Sequence, residues 1–232
     1  MGTRSRCRAT LAGLSVLVLA GCASASDPSP PTGVDGLVIP TPSPDPGDFV
    51  TGVDNPWLPL RFGSTWEYDV TGARPGTRTV TTSEGPDVQG VATTAVLAVT
   101  TTPDGRATEV SDLYAQDEAG NVWWFGRLGE WQAGENGARA GLVMAAAPRI
   151  GDGYREAYAA GVVDRRAEVA DLDDSRDLPA GEFDDLLTIV TTSPLTGAVE
   201  RAYYARGVGL VAAEKVEGEP RTQLELVAHD EP

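Results

Sequence analysis

The most definite chemistry in this sequence belongs to the thiol of Cys22. It closes the run Leu19-Ala20-Gly21-Cys22, an aliphatic residue and two small residues ahead of a cysteine. That is the lipobox form. Small side chains fit a signal-peptidase site, and the thiol is the nucleophile that accepts a diacylglyceryl group. The residues upstream agree. Arg4, Arg6 and Arg8 make a cationic start, and residues 9–20 (ATLAGLSVLVLA) are apolar. A helix of about a dozen residues rises only ~18 Å, short of the ~30 Å hydrocarbon core. Residues 1–21 are therefore expected to be a lipoprotein signal peptide and not a spanning helix. A lipid on Cys22 would hold the mature chain on the outer face of the cytoplasmic membrane.

The remaining inventory narrows the chemistry further. The chain has two cysteines, Cys7 and Cys22. Cys7 would leave with the signal and Cys22 would be blocked, so no thiol remains for a disulfide or a metal. An exported domain without cross-links must rest on its hydrophobic core. All 34 acidic residues follow Cys22, against 15 of the 18 basic ones, a net of about −19 for the mature chain. Such a surface repels nucleic acid and anionic headgroups. No nucleic-acid partner is expected, and the lipid must supply nearly all of the membrane attachment. Two acyl chains at ~0.8 kcal/mol per buried methylene are sufficient.

Nucleophilic catalysis lacks its parts. His229 is the single histidine; it sits near the C-terminus, where fraying makes a poor general base. A Ser-Lys dyad would have to use Lys215, between Glu214 and Glu217, a cation-stabilising setting unsuited to a base. Carboxylates are the abundant groups. Glycoside hydrolysis needs two of them about 5 to 9.5 Å apart across a cleft, although acids this numerous also read as a solvated surface. Asp112 stands out, because in a strand it shares a face with Val110 and Tyr114. It is expected to be partly buried and hydrogen-bonded, as a buttress or as a ligand contact.

One acidic run needs weighing as a calcium loop. Asp171, Asp173, Ser175, Asp177 and Glu182 fall at positions 1, 3, 5, 7 and 12 of the EF-hand spacing. The sixth position is Arg176, where that loop needs Gly, Pro179 intrudes, and no flanking helices are evident. An acidic inter-strand loop is the competing reading. No cofactor is implied.

The elements that must position these groups read as strands. After Cys22 the chain is dense in Pro, Ser, Gly and Asp, so residues 22–48 are expected to be a lipid-anchored, disordered spacer. The alternative for its later part, around Val38 and Ile39, is an ordered arm. Residues 49–232 then form a single all-β domain. In 65–71 (TWEYDVT), Trp66, Tyr68 and Val70 share one face while Glu67 and Asp69 share the other. Strands are expected over 76–84, 88–101, 106–116 and 122–127, with hairpin turns at Thr102-Pro103-Asp104-Gly105 and at 117–121. Further strands should cover 162–172, 183–192, 199–205, 208–216 and 222–228. Tyr154, Tyr158 and Val162 recur at four-residue spacing, which allows one short helical turn before Gly161 interrupts. Residues 138–147 fit loop or strand.

Three segments also resemble a family of uncharacterised envelope lipoproteins from GC-rich bacteria. They are Asp54-Asn55-Pro56-Trp57-Leu58-Pro59-Leu60 with Phe62 to Tyr68, then Tyr114-Ala115-Gln116-Asp117 with Gly120 to Gly126. The third is Pro179 to Phe183 leading to Tyr203-Tyr204-Ala205-Arg206-Gly207-Val208-Gly209-Leu210-Val211. The resemblance implies an all-β extracytoplasmic domain and no activity. Taken physically, Asn-Pro and Leu-Pro disfavour helix, and consecutive Trp123, Trp124 and Phe125 put aromatics on both faces of one strand.

Some ten antiparallel strands predict a single curved sheet, a half-barrel or clam, or a sandwich, with at most a short helix. The expected function is a monomeric, non-enzymatic binding or envelope-scaffold lipoprotein. Any ligand would lie on the concave face with Trp66, Tyr68, Asp112, Trp124 and Tyr204. An envelope protein, a glycan or a lipid is the kind of partner that amphipathic rings suit. Two alternatives stay open: a carboxylate-dependent glycan hydrolase, and a carrier of lipid or another hydrophobic ligand.

Overall fold

The alternation seen in 65–71 sets the rule for the domain. Trp66, Tyr68 and Val70 are buried and Glu67 and Asp69 are exposed. The computed structural model describes Gly2 and residues 45–232. The expected signal peptide, Cys22 and the spacer as far as residue 44 lie outside the described residues. The last residues of that spacer are structured. Pro46–Asp48 is a single 3-10 turn, and the Asp48 carbonyl accepts from Glu118 N.

The chain forms fourteen strands: β1 (Phe49–Val50), β2 (Thr65–Gly72), β3 (Gly76–Glu84), β4 (Thr94–Thr101), β5 (Ala107–Asp117), β6 (Val122–Arg127), β7 (Trp131–Gln132), β8 (Arg139–Met144), β9 (Gly153–Ala159), β10 (Val163–Leu178), β11 (Gly181–Ser193), β12 (Ala198–Ala205), β13 (Gly209–Glu217) and β14 (Thr222–Asp230). The expectation of an all-β domain holds, but the sheet is neither half-open nor a sandwich. Twelve of the strands, all but β1 and β7, close into an antiparallel up-and-down barrel. Closure comes from β14 pairing with β2, Leu224 opposite Val70 and Leu226 opposite Tyr68, and from β6 pairing with both β5 and β8. A closed ring leaves no sheet edge to aggregate. The helical turn expected around Tyr154 is absent: that segment is β9, paired with β10. The strand expected from residue 88 starts only at Thr94. Val88 and Val91 instead make a small bridged loop, both buried.

The outward positions carry Glu67, Asp69, Thr79, Glu109 and Glu168, all exposed. This polar exterior is the reverse of a transmembrane barrel, whose outer band is apolar. Inside, eight strands make a barrel that side chains just fill, and sixteen to eighteen leave an aqueous channel. Twelve strands lie between, so something besides strand side chains must occupy part of the interior.

At one end that filler is the segment between β1 and β2. Val53, Trp57 and Leu60 join the main buried cluster with Trp66, Tyr68 and Tyr203. The connections β3–β4, β5–β6, β8–β9, β10–β11 and β12–β13 lie at this plugged end, and the other connections between barrel strands lie at the opposite end. Asn55 ties the plug down. Its Nδ2 donates to the carbonyls of Gly120 and Ala145, and its Oδ1 accepts from Trp57 N and Leu58 N. Gln116 Oε1 accepts from Asp54 N and Asn55 N. The Pro56 carbonyl accepts from Gly207 N, and Arg206 lies over the Trp57 ring at 4.1 Å. The motifs singled out in the sequence thus meet at one end of the barrel. They hold its plug.

Candidate functional site

Beyond the plug the barrel keeps a cavity of about 570 Å³. That lies within the roughly 300–1,000 Å³ usual for small-molecule sites. Leu58 and Leu60 of the plug wall one side; Lys215, Thr222 and Gln223 line it toward the opposite end. The five residues expected on a ligand face, Trp66, Tyr68, Asp112, Trp124 and Tyr204, all line this one cavity.

All but Tyr204 are held by a specific side-chain bond. Trp66 Nε1 donates to the Val208 carbonyl and Tyr68 Oη to the Leu210 carbonyl, both at 2.8 Å. Trp124 Nε1 donates to the Gly126 carbonyl at 2.8 Å and to Asp112 Oδ1 at 3.1 Å. Its ring stacks at 6.4 Å on Tyr114 and meets Trp131 edge-on at 5.1 Å. Burial pushes the phenols of Tyr68, Tyr114 and Tyr204 above their ordinary value, and nearby charges or phenols add to the shift: Tyr204 beside Tyr68, Asp112 beside Tyr114, and Glu156 beside Tyr204. All three therefore remain neutral hydroxyls.

The alternation of single strands did not expose the charged part of the lumen. Asp112 is bonded twice by Arg127, Nε to Oδ1 at 2.8 Å and Nη2 to Oδ2 at 3.1 Å. Plain alternation from Trp124 would put Arg127 on the other face. A register shift between Leu113 and Tyr114 places Arg127 opposite Asp112 and Trp124 opposite Tyr114, with Phe125 as the extra residue. Gly126 permits the turn, because a Cβ there would sit 2.7 Å from the Trp131 carbonyl oxygen.

The second charged group repeats the device. Arg165 donates from Nε to Glu156 and from Nη1 to Glu200, each at 2.8 Å, and Glu156 also accepts from Thr191 at 3.0 Å. Glu156 is 7% exposed. It is the extra residue of β9 where the pairing with β10 shifts register. Arg78, opposite Tyr68 and Thr100, completes the set; its Nε donates to Thr100 Oγ1 at 2.9 Å. Its alternation with Val80 was the one signal in the sequence that could have placed it inside.

No protein-family model matches the chain, and no curated protein aligns with it. Two crystal structures are similar in fold. One is a Bacteroides fragilis protein with a YmcC-like fold, inferred to be exported, aligned over 75% of this chain and 99% of its own with 12% identity and a TM-score of 0.47. The other, a Parabacteroides distasonis protein inferred to be a lipoprotein, aligns over 75% and 98% with 15% identity and a TM-score of 0.41. The functional reading rests on the lumen itself.

The acidic run does not form a calcium loop. Asp171, Asp173, Ser175 and Asp177 lie along β10, and Glu182 faces Asp177 across the tight β10–β11 turn. Alternating strand positions spread these carboxylates along a ribbon. Among the described residues, no three His, Cys, Asp or Glu side chains come together as a metal site. His229 is not frayed, as its place in the sequence had implied. It belongs to β14 opposite Trp66, and its ring stacks on that indole at 5.0 Å. Burial pushes its imidazole below the usual value, against the opposing pull of Glu231 and Asp230.

Proposed function

We propose that this chain is a lipid-anchored extracytoplasmic binding protein whose barrel lumen takes up a small ligand. The observation that carries the reading is the 570 Å³ cavity, plugged at one end and lined by aromatics and fixed polar groups. A binding role fits the lumen carboxylates better than hydrolysis does. A glycosidase needs open space between its two carboxyl groups for the scissile bond. Here the Arg165 guanidinium stands between Glu156 and Glu200, and Asp112 is taken by Arg127.

Native mass spectrometry of the full chain, purified gently from its membrane, tests the lumen. Wild type should carry a non-covalent mass. Ala202→Trp, which builds an indole from a small cavity-lining residue, should lose that mass while keeping its β-sheet circular dichroism. A mass retained unchanged by the folded variant would place the ligand elsewhere and end the lumen reading.

The anchor is tested separately. Metabolic labelling with a palmitate analogue should mark the wild type, and Cys22→Ala should be unlabelled and released from membranes. The lipid is the main attachment of so acidic a chain, so a variant that stays bound would refute the anchor.

A further inference from the structure

The polar groups of the lumen are unbalanced in a way that specifies the ligand. Asp112, Glu156 and Glu200 are each bonded by an arginine of the same lumen. The fourth acid at its edge, Glu214, accepts from Arg201 and Tyr203. The donors are not used up. Among the described residues, Arg78 has no carboxylate within 4.0 Å, and its only side-chain hydrogen bond is from Nε to Thr100. Its two Nη groups are left over. Among the same described residues Lys215 forms no ion pair, although it lies opposite Glu200 in the β12–β13 ladder, and the Tyr114 and Tyr204 hydroxyls line the cavity without an acceptor. A partly desolvated guanidinium without an anion is unfavourable, and burial indeed lowers its hold on its proton. The missing component is an acceptor carrying negative charge.

The cavity also has a direction. Arg78 and Lys215 lie two residues from the ends of β3 and β13 that face away from the plug. Toward the plug the wall is Leu58, Leu60, Trp66, Val80, Val96 and Leu210. We propose that the ligand is an anionic amphiphile, with a carboxylate or phosphate head held by Arg78 and Lys215 and an apolar tail pointing into the barrel toward the plug. This rests on the lumen reading and adds the chemical class. Arginine suits either head, because its fork matches two oxygens at once. The tail follows from the apolar wall, which a bare inorganic anion would leave unfilled.

The test is isothermal titration of the full-chain protein with dodecanoate, dodecyl phosphate, dodecanol, dodecyltrimethylammonium, acetate and inorganic phosphate, all below micellar concentration. At least one anionic dodecyl compound should bind about tenfold or more tighter than dodecanol, the scale of a charge-assisted hydrogen bond. The cationic compound, acetate and inorganic phosphate should bind far more weakly. Arg78→Gln should abolish the preference for the anion while leaving dodecanol affinity within about twofold, and Arg78→Lys should keep part of it. If Arg78→Gln fails to fold, Lys215→Gln decides, with an expected loss of about threefold for the anion and none for dodecanol. Dodecanol binding as tightly as both anions, or acetate or phosphate binding as tightly as its dodecyl form, overturns the anionic amphiphile and leaves the lumen reading standing. Failure of every dodecyl compound overturns it too. The lumen reading would then survive only if the native mass is lost in Ala202→Trp.

Discussion

Arg165→Met is expected to lower the unfolding free energy by about 3 kcal/mol, read as a fall in the urea midpoint at pH 7. The guanidinium holds Glu156 and Glu200 together inside the barrel. Burial alone would weaken its charge, but the two carboxylates more than offset this and hold it above its ordinary value. Removing one partner of a buried ion pair costs about 3–5 kcal/mol, because the remaining charges stay desolvated and unpaired. The lower figure applies here because the Glu200 side chain is 37% exposed. Replacing all three residues, Glu156→Leu, Arg165→Met and Glu200→Leu, should return stability to within about 1 kcal/mol of wild type. A single Arg165→Met variant as stable as wild type at pH 7 would mean the triad is solvated and energetically idle.

Asn55→Ala is the second large effect, expected at about 3 kcal/mol with loss of ligand uptake. Asn55 is 2% exposed and spans three parts of the chain. Its removal strands the Trp57 amide, which donates to Oδ1 at 2.9 Å, and the Gly120 and Ala145 carbonyls, which accept from Nδ2 at 2.8 and 3.3 Å. Each unsatisfied buried group costs about 1–3 kcal/mol, and partial rehydration at the barrel end lowers the sum. Because Leu58 and Leu60 wall the cavity, a loosened plug should also let water into the apolar end. Urea unfolding with amide hydrogen exchange checks this. The Trp57 and Leu58 amides should exchange much faster in the variant, while β10 and β11 stay protected. Unchanged exchange at Trp57 would show that the plug is held by its apolar contacts alone.

The plug ties and the lumen charges differ in how far the sequence reveals them. Asn55 and Gln116 stand in the segments singled out in the sequence, and they prove to be structural ties between those segments. Trp66, Tyr68, Asp112, Trp124 and Tyr204 could be read as one face because each keeps the two-residue period of its own strand. All five line the one cavity. Arg127 could not be read, because it owes its inward position to an extra residue that shifts register against the neighbouring strand; Glu156 alternates with Tyr154, but its segment was expected to hold a helical turn and not a strand. Single-strand alternation predicts the wrong face at such a bulge. The four-residue spacing of Tyr154, Tyr158 and Val162 resembled a helix, yet ladder bonds to β10 made the segment a strand.

Local pattern was thus enough for most of the strands and turn positions and for the alternation of the aromatics within their strands. These depend on side-chain period, on Gly and Pro torsions and on burial, all of which act over a few residues. Closure of the ring, the residual cavity and the pairing of its charges were decided by tertiary structure alone. Closure joins Thr65–Gly72 to Thr222–Asp230, nearly the full length of the domain apart. No local rule weighs the loop entropy of that contact against the edge hydrogen bonds and apolar area it recovers. Whether a curved sheet stays open or becomes a vessel with donors to spare is settled only when those two strands meet.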